Sequence, residues 1–189
     1  MSDLVRILDG NTFVVSDERG DIDASPTDPT GLFAYDTRFL STWALTINDQ
    51  PLTALSTDDL HYYEPRFFLV PGTGTVYVDA KLSVIRRRAV SEGFDEELTV
   101  LNHDGEPVEV RVRLDAGSDF ADLFEVKDAL RKKGKYYRRV EGGRLVLGYE
   151  RAAFNRETQI ESSEPAELTE DSLTFAVRVP AHGEWRTTL

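Results

Sequence analysis

The chain has 189 residues, 40% hydrophobic and 30% charged, which suits one globular domain with a sizeable core and excludes a disordered tail. Zero cysteines exclude disulfides and thiolate metal sites and agree with a reducing, cytoplasmic setting. With 34 acidic against 22 basic residues the net charge is −12, which opposes nucleic acid and anionic membranes as partners and favours a neutral ligand such as a sugar.

No apolar run approaches the roughly 20 residues that span a bilayer. The opening MSDLVRILDG lacks the basic and apolar pattern of a secretory signal, and no Asn-x-Ser/Thr sequon occurs. In chain order, Leu4 to Leu8 and Thr12 to Ser16 predict two short strands around Asp9-Gly10-Asn11. Asp17 to Thr30 reads as a loop, rich in aspartate with Gly20, Pro26 and Pro29. Gly31 to Asp49 is the organising stretch. An aromatic-rich loop carries Asp36-Thr37-Arg38, and a strand follows in which Trp43, Leu45 and Ile47 share one face. An ionisable pair among Phe33, Tyr35, Phe39 and Trp43 is tolerable only if it is hydrogen-bonded and charge-paired.

Asn48 to Pro51 is turn chemistry, and another apolar run starts at Leu52. His61 to Val70 predicts a strand, with Pro65 placing it at an edge or a bulge. Pro71 to Gly74 predicts a turn and Leu82 to Val90 a further strand. Leu98 and Val100, the turn Asn102 to Gly105, and Val108, Val110, Val112 and Leu114 together predict a hairpin. Its returning strand has a charged outer face of Glu109, Arg111, Arg113 and Asp115. Gly117 to Lys135 breaks the period of two, with Asp119 to Val126 as a short helical turn or an irregular start of a strand. Arg131 to Lys135 predicts an exposed tip, and Tyr136 to Val140 with Arg144 to Tyr149 a hairpin around Glu141-Gly142-Gly143. Ala153 to Glu161, Leu173 to Val179 and Trp185 to Leu189 complete the extended segments.

With little helix and no fixed repeat, these segments predict an all-β fold, an antiparallel β-sandwich of two packed sheets spanning 1–189 as a single domain. A closed barrel fits the uneven strands and loops less well. The final WRTTL, apolar-ending and without a polar tail, suggests a domain cut from a longer polypeptide.

Gly72 and Gly74 lack the lysine and hydroxyl residue that a phosphate loop needs. His61, His103 and His182 are isolated, without the spacing of a zinc site, and no GxSxG elbow is present. Hence no catalytic residue, metal ligand or cofactor is assigned. Arg86-Arg87-Arg88 alternates faces along a strand and forms no single patch. The basic run Arg131 to Arg139, with Tyr136 and Tyr137, is either a base-stacking surface or a tip balanced by acids such as Glu157 and Glu161. Asp119, Asp122 and Glu125 read as ordinary surface charge. A glycosidase pair needs carboxylates about 5 Å or 6.5–9.5 Å apart, which sequence cannot measure. Tyr62, Tyr63, Phe67 and Phe68 suit either sugar stacking or a core.

Several segments together resemble the N-terminal domain of bacterial amylo-α-1,6-glucosidase, or glycogen-debranching-type, proteins. They are Thr12 to Asp17 with Gly20-Asp21-Ile22, Gly31-Leu32-Phe33, Tyr35-Asp36-Thr37-Arg38-Phe39-Leu40-Ser41, Asp119 to Val126, and His182-Gly183-Glu184-Trp185. The resemblance implies a supersandwich-like β-domain that precedes a helical (α/α) barrel carrying the catalytic carboxylates. The chain would then be a non-catalytic module of a glycoside hydrolase, bracing that barrel as its partner and lending a loop to the α-glucan cleft. Tyr35, Asp36, Arg38 and Trp43 are the residues expected near sugar. Alternatively, Asp36 and Arg38 form a bidentate pair that fixes the loop. A stand-alone glycogen- or starch-binding module and a protein-recruiting sandwich are the rival expectations.

Overall fold

The computed structural model describes residues 4–25, 29–72, 81–128 and 132–189. Of these, 65% are strand and 4% helix, so the chain is all-β as its alternation predicts. Thr73 and Gly74 of the expected turn and Arg131 of the expected tip lie outside the described residues.

The main body is one sheet folded into two facing layers. One layer orders β15 (Glu167–Leu168), β16 (Ser172–Val179), β11 (Val108–Gly117) and β6 (Thr42–Ile47), with β3 (Ile22–Asp23) beside β6. The other orders β7 (Gln50–His61), β8 (Glu64–Pro71), β9 (Leu82–Val90), β10 (Phe94–Asn102) and β17 (Glu184–Thr188). They join at a corner. β6 and β7 pair over only two residue pairs beyond the turn at Asn48 and Asp49, both at positive φ (51° and 60°), before the strands part. Positive φ at both central positions is the geometry of a type I′ hairpin turn. The sheet ends at β15 and β17, so it is open rather than a closed barrel.

The layers meet through the face that the sequence assigns to the core. Trp43, Leu45 and Ile47 are each 1% exposed, and across the gap Phe175 and Trp185 lie 5.1 Å apart between ring centroids. Two smaller sheets extend the body. β1 (Val5–Asp9), β2 (Thr12–Ser16), β4 (Gly31–Ala34) and β5 (Thr37–Leu40) form one. β12 (Lys135–Glu141), β13 (Arg144–Arg151) and β14 (Phe154–Ile160) form the other. Ile7, Val14, Leu32 and Leu40 from the first, and Leu145, Leu147 and Ile160 from the second, join the same hydrophobic core.

The β12–β13 hairpin forms where expected, its turn supplied by Gly142 and Gly143 at φ 59° and 77°. The hairpin expected between β10 and β11 does not. β10 pairs with β9 and β17, whereas β11 pairs with β16 and β6. Asn102 to Gly105 carries the chain from one layer to the other instead. The Asn102 side-chain amide donates to the carbonyls of Glu106 and Pro180 (2.8 and 3.0 Å), so the turn is tied to the opposite layer. The loop expected at 17–30 includes the short strand β3. Pro65 pairs with Asp59 beside a register shift in β7, an irregularity of the kind at which a strand tolerates proline.

Candidate functional site

Tyr35, Asp36 and Arg38 come together at the end of the β4–β5 hairpin, but not as expected. Asp36 and Arg38 are not a pair. Arg38, 6% exposed, turns inward: its Nε and Nη2 donate to Asp119 Oδ1 and Oδ2 at 3.1 and 2.6 Å, and Nη1 to the Thr30 carbonyl at 3.1 Å. Asp36 is exposed. The bidentate fork therefore closes on a carboxylate 81 residues away, reached by a side chain that is buried like its strand neighbours Thr37 and Leu40. Gly31 is required for this approach. A Cβ there would lie 2.5 Å from Arg38 Cδ and 2.8 Å from the Phe33 ring. The guanidinium also lies 5.9 Å from the Phe33 ring centroid, and Phe33 stacks on Phe13 at 4.7 Å.

This clamp aligns residues 36–38 with residues 121–123. Arg38 N–H donates to the Ala121 carbonyl (2.8 Å) and Leu123 N–H to the Asp36 carbonyl (3.1 Å). Asp119, Asp122 and Glu125 are thus more than surface charge. Asp119 holds Arg38, while Asp122 and Glu125 exchange backbone N–H bonds at 2.8 Å, a capping box that starts helix α1 (Leu123–Asp128). Tyr136 hydroxyl donates to the Asp119 carbonyl at 2.9 Å. Partial burial, helped by the Asp119 charge, pushes its pKa up to about 12 and keeps it a neutral donor. Lys132, expected on an exposed tip, is largely buried, 3.4 Å from Glu125 and over the Tyr149 and Phe154 rings. Arg139 and Arg144 further on do meet the acidic run, at Glu157 (3.0 Å) and Glu161 (2.9 Å).

Beyond the clamp the surface is apolar. Tyr35 and Phe124 are each 77% exposed and Leu123 43%. Tyr35 sits at φ +55°, its N–H held by the Asn11 carbonyl at 2.8 Å, so the clamp presents an aromatic side chain from a sparsely populated backbone conformation. Behind the hairpin lies a groove of about 430 Å³ between β4–β5, β14 and the β9–β10 turn, with Phe39, Phe94 and Trp43 among its lining. Of the four residues expected near sugar, then, Tyr35 and Asp36 are at the exposed tip. Arg38 is buried in the clamp, and Trp43 lies buried at the groove.

Between the layers is a charge cluster that sequence reasoning missed. Arg86 and Arg88 are fully buried and converge on Glu96: Arg86 Nη2 to Oε1 at 2.9 Å and Arg88 Nη2 to Oε2 at 2.6 Å. Arg86 also reaches Asp21 (2.6 Å), and Trp43 Nε1 donates to Glu96 Oε1 (2.9 Å). Burial by itself would raise the Glu96 carboxyl, but Arg86 and then Arg88 outweigh it and hold it below the usual carboxylate range. Arg88 shows the opposite balance. Burial outweighs its single shared partner and lowers it, and the cation lies between the rings of Phe67 and Phe94 at 5.4 and 5.0 Å. Arg87, on the other face, is exposed beside Glu64, as the alternation predicts. Of the aromatic quartet on β7–β8, Phe67 is in the core and Tyr62 is 71% exposed.

His103 and His182, separate in sequence, line one shallow pocket, with His103 Nε2 2.8 Å from Ser83 Oγ. Among the described residues no group of three or more histidines and carboxylates is placed to hold a metal, and no helix is long and apolar enough to cross a membrane.

A family model described as the N-terminal domain of (some) glycogen debranching enzymes matches residues 7–189, nearly the whole chain. No curated protein matches it.

Proposed function

As the chain belongs to the family of N-terminal domains of glycogen debranching enzymes, we propose that it is the non-catalytic support of such an enzyme. It braces a catalytic (α/α) barrel in the same polypeptide and lends the Tyr35–Asp36 turn to the rim of an α-glucan cleft. The observation that carries this reading is the clamped tip. Large apolar side chains at Tyr35, Leu123 and Phe124 project from backbone fixed by the Arg38–Asp119 pair and the α1 capping box. A rigid, exposed aromatic cluster suits a domain interface, where a few such anchors carry most of the binding free energy. Arg38 and Trp43 act from within, by placing the turn and the groove, and Tyr35 and Asp36 are the residues that touch partner or sugar. A cysteine-free, acidic domain fits a cytoplasmic enzyme acting on a neutral polymer.

Tyr35→Ser with Phe124→Ser tests the interface. In a polypeptide that joins this chain to the catalytic domain, the double variant is expected to weaken the coupling between the two by at least about 2 kcal/mol. The melting temperature of the 189-residue chain alone should hardly change, because both side chains are already in solvent. Equal melting of the joined proteins with and without the substitutions would count against the docking role. Release of glucose from branched dextrin by this chain alone would count against its being non-catalytic.

A further inference from the structure

Lys132 is a buried cation with no part in the docking surface. Its side chain is only 10% exposed, although its sequence reads as a solvated tip. Among the described residues its ammonium meets one carboxylate, Glu125 at 3.4 Å, and no closer acceptor. Two aromatic rings supply the rest: the centroids of Tyr149 and Phe154 lie 5.2 and 5.1 Å from Nζ. Burying an ammonium is unfavourable without compensation, and a ring quadrupole attracts a desolvated cation most strongly.

The parts around the ammonium are themselves fixed. Tyr149 is 2% exposed, with the rings of Phe120, Phe154 and Tyr136 at 6.3, 6.1 and 5.0 Å. A Cβ at Gly134 would overlap the Tyr149 ring, so glycine is required where the backbone following Lys132 crosses it. Glu125 Oε2 accepts the Asp122 N–H at 2.8 Å in the box that starts α1, and the same oxygen faces Lys132. Ring faces and a carboxylate together repel an anion, and a neutral group gains nothing from the charge. Arg156 gives the contrast. Its guanidinium carbon stands 4.3 Å from the Phe154 centroid, but the side chain is exposed and water competes for it.

We propose that Tyr149, Phe154 and Glu125 form an ammonium-binding cage whose ligand is the chain's own Lys132, and that this contact latches α1 to the β13–β14 pair. Tyr149 belongs to β13 and Phe154 to β14, whereas Glu125 belongs to α1. The cage is thus a second hold on the helix, separate from the Arg38–Asp119 clamp. That it steadies Leu123 and Phe124 for a partner rests on the proposed docking role; the cage itself does not.

Amide hydrogen exchange on the 189-residue chain tests it. Lys132→Met keeps an apolar stem and removes the charge. Exchange at Glu125 and Val126 should rise at least about fivefold, with β11 unchanged. Lys132→Arg, still a cation, and Arg156→Ala, a loss in solvent, should each stay within about twofold of the parent. Lys132→Ala opens the cage to a small ligand. There n-butylammonium chloride should slow α1 exchange at least about threefold, whereas n-butanol, or sodium chloride at the same ionic strength, should not. Parent-like exchange in Lys132→Met, acceleration spread equally over β11, or equal recovery of Lys132→Ala with n-butanol would each overturn the assignment. Should Lys132→Ala fail to fold, the Met and Arg variants decide, since equal exchange in the two would overturn it. None of these outcomes bears on the docking test, which is read from Tyr35 and Phe124 in the joined protein.

Discussion

Glu96→Ala is expected to lose about 3–5 kcal/mol of folding stability, the usual result of removing one partner from a buried ion cluster. Arg86 and Arg88 have no exposed side-chain surface, and among the described residues Glu96 is the one carboxylate bonded to both. Without it Arg86 keeps Asp21, while Arg88 keeps a backbone carbonyl at Gly20 and two aromatic faces but no direct carboxylate. Trp43 also loses the acceptor of its indole N–H. Against a typical total of about 5–15 kcal/mol, such a loss takes a large share of the fold. Arg87→Ala, one residue away on the wet face, should be close to neutral in the same urea titration, because its pair with Glu64 is solvent-screened. Equal effects from the two substitutions would refute the cluster's role.

The same carboxylate gives the acid limb a direction. Its folded pKa is depressed, so its contribution is complete above the unfolded value, about 4.3, and is lost as pH falls through the lower folded value. Glu96→Gln should therefore show a shallower loss of stability below about pH 4 than the parent chain.

The second large effect is expected at the clamp. Asp119→Ala strands the buried Arg38 guanidinium, while Arg38→Ala removes two charge-assisted bonds to Asp119 and one to Thr30. Because Asp119 is itself about a third exposed (37%), water softens the loss, and about 2–3 kcal/mol is expected for either substitution. Arg38→Lys should recover little of it, since an ammonium cannot span both carboxylate oxygens. The effect should also be local. Leu123 N–H bonds to the Asp36 carbonyl, so the amides of α1 should exchange faster in the variants than those of β11, which lies between β6 and β16. Uniform acceleration across the whole chain would contradict a clamp and indicate general loosening.

These two sites mark where the sequence was readable. Alternation placed Trp43, Leu45 and Ile47 on the core face and separated Arg87 from its neighbours, because period two is a local property of the chain. It could not reveal that the arginine-bearing face of β9 is the inner one, since charged residues on a strand ordinarily mark its wet side. The signal lay in the register. Arg88 faces Glu96 across the β9–β10 pair, and only a hairpin around Glu92-Gly93 brings them together. Its apolar neighbours show that Arg38 needs a partner, yet the nearest carboxylate in sequence, Asp36, points to solvent, and Asp119 is distant along the chain. Two of the segments that carry the family resemblance, YDTRFLS and DFADLFEV, are the pair that the clamp joins. The β10–β11 misreading has a similar cause, because a turn between two alternating strands does not tell a hairpin from a crossover between layers.

Amide hydrogen exchange on the chain alone, and on the chain joined to a catalytic barrel, tests the supporting role most directly. The account predicts slower exchange in the joined protein at residues 35–37 and 122–126, with the far edge at β15 unchanged. Identical exchange at the hairpin tip and α1 in both proteins, with protection gained at β15 instead, would contradict it.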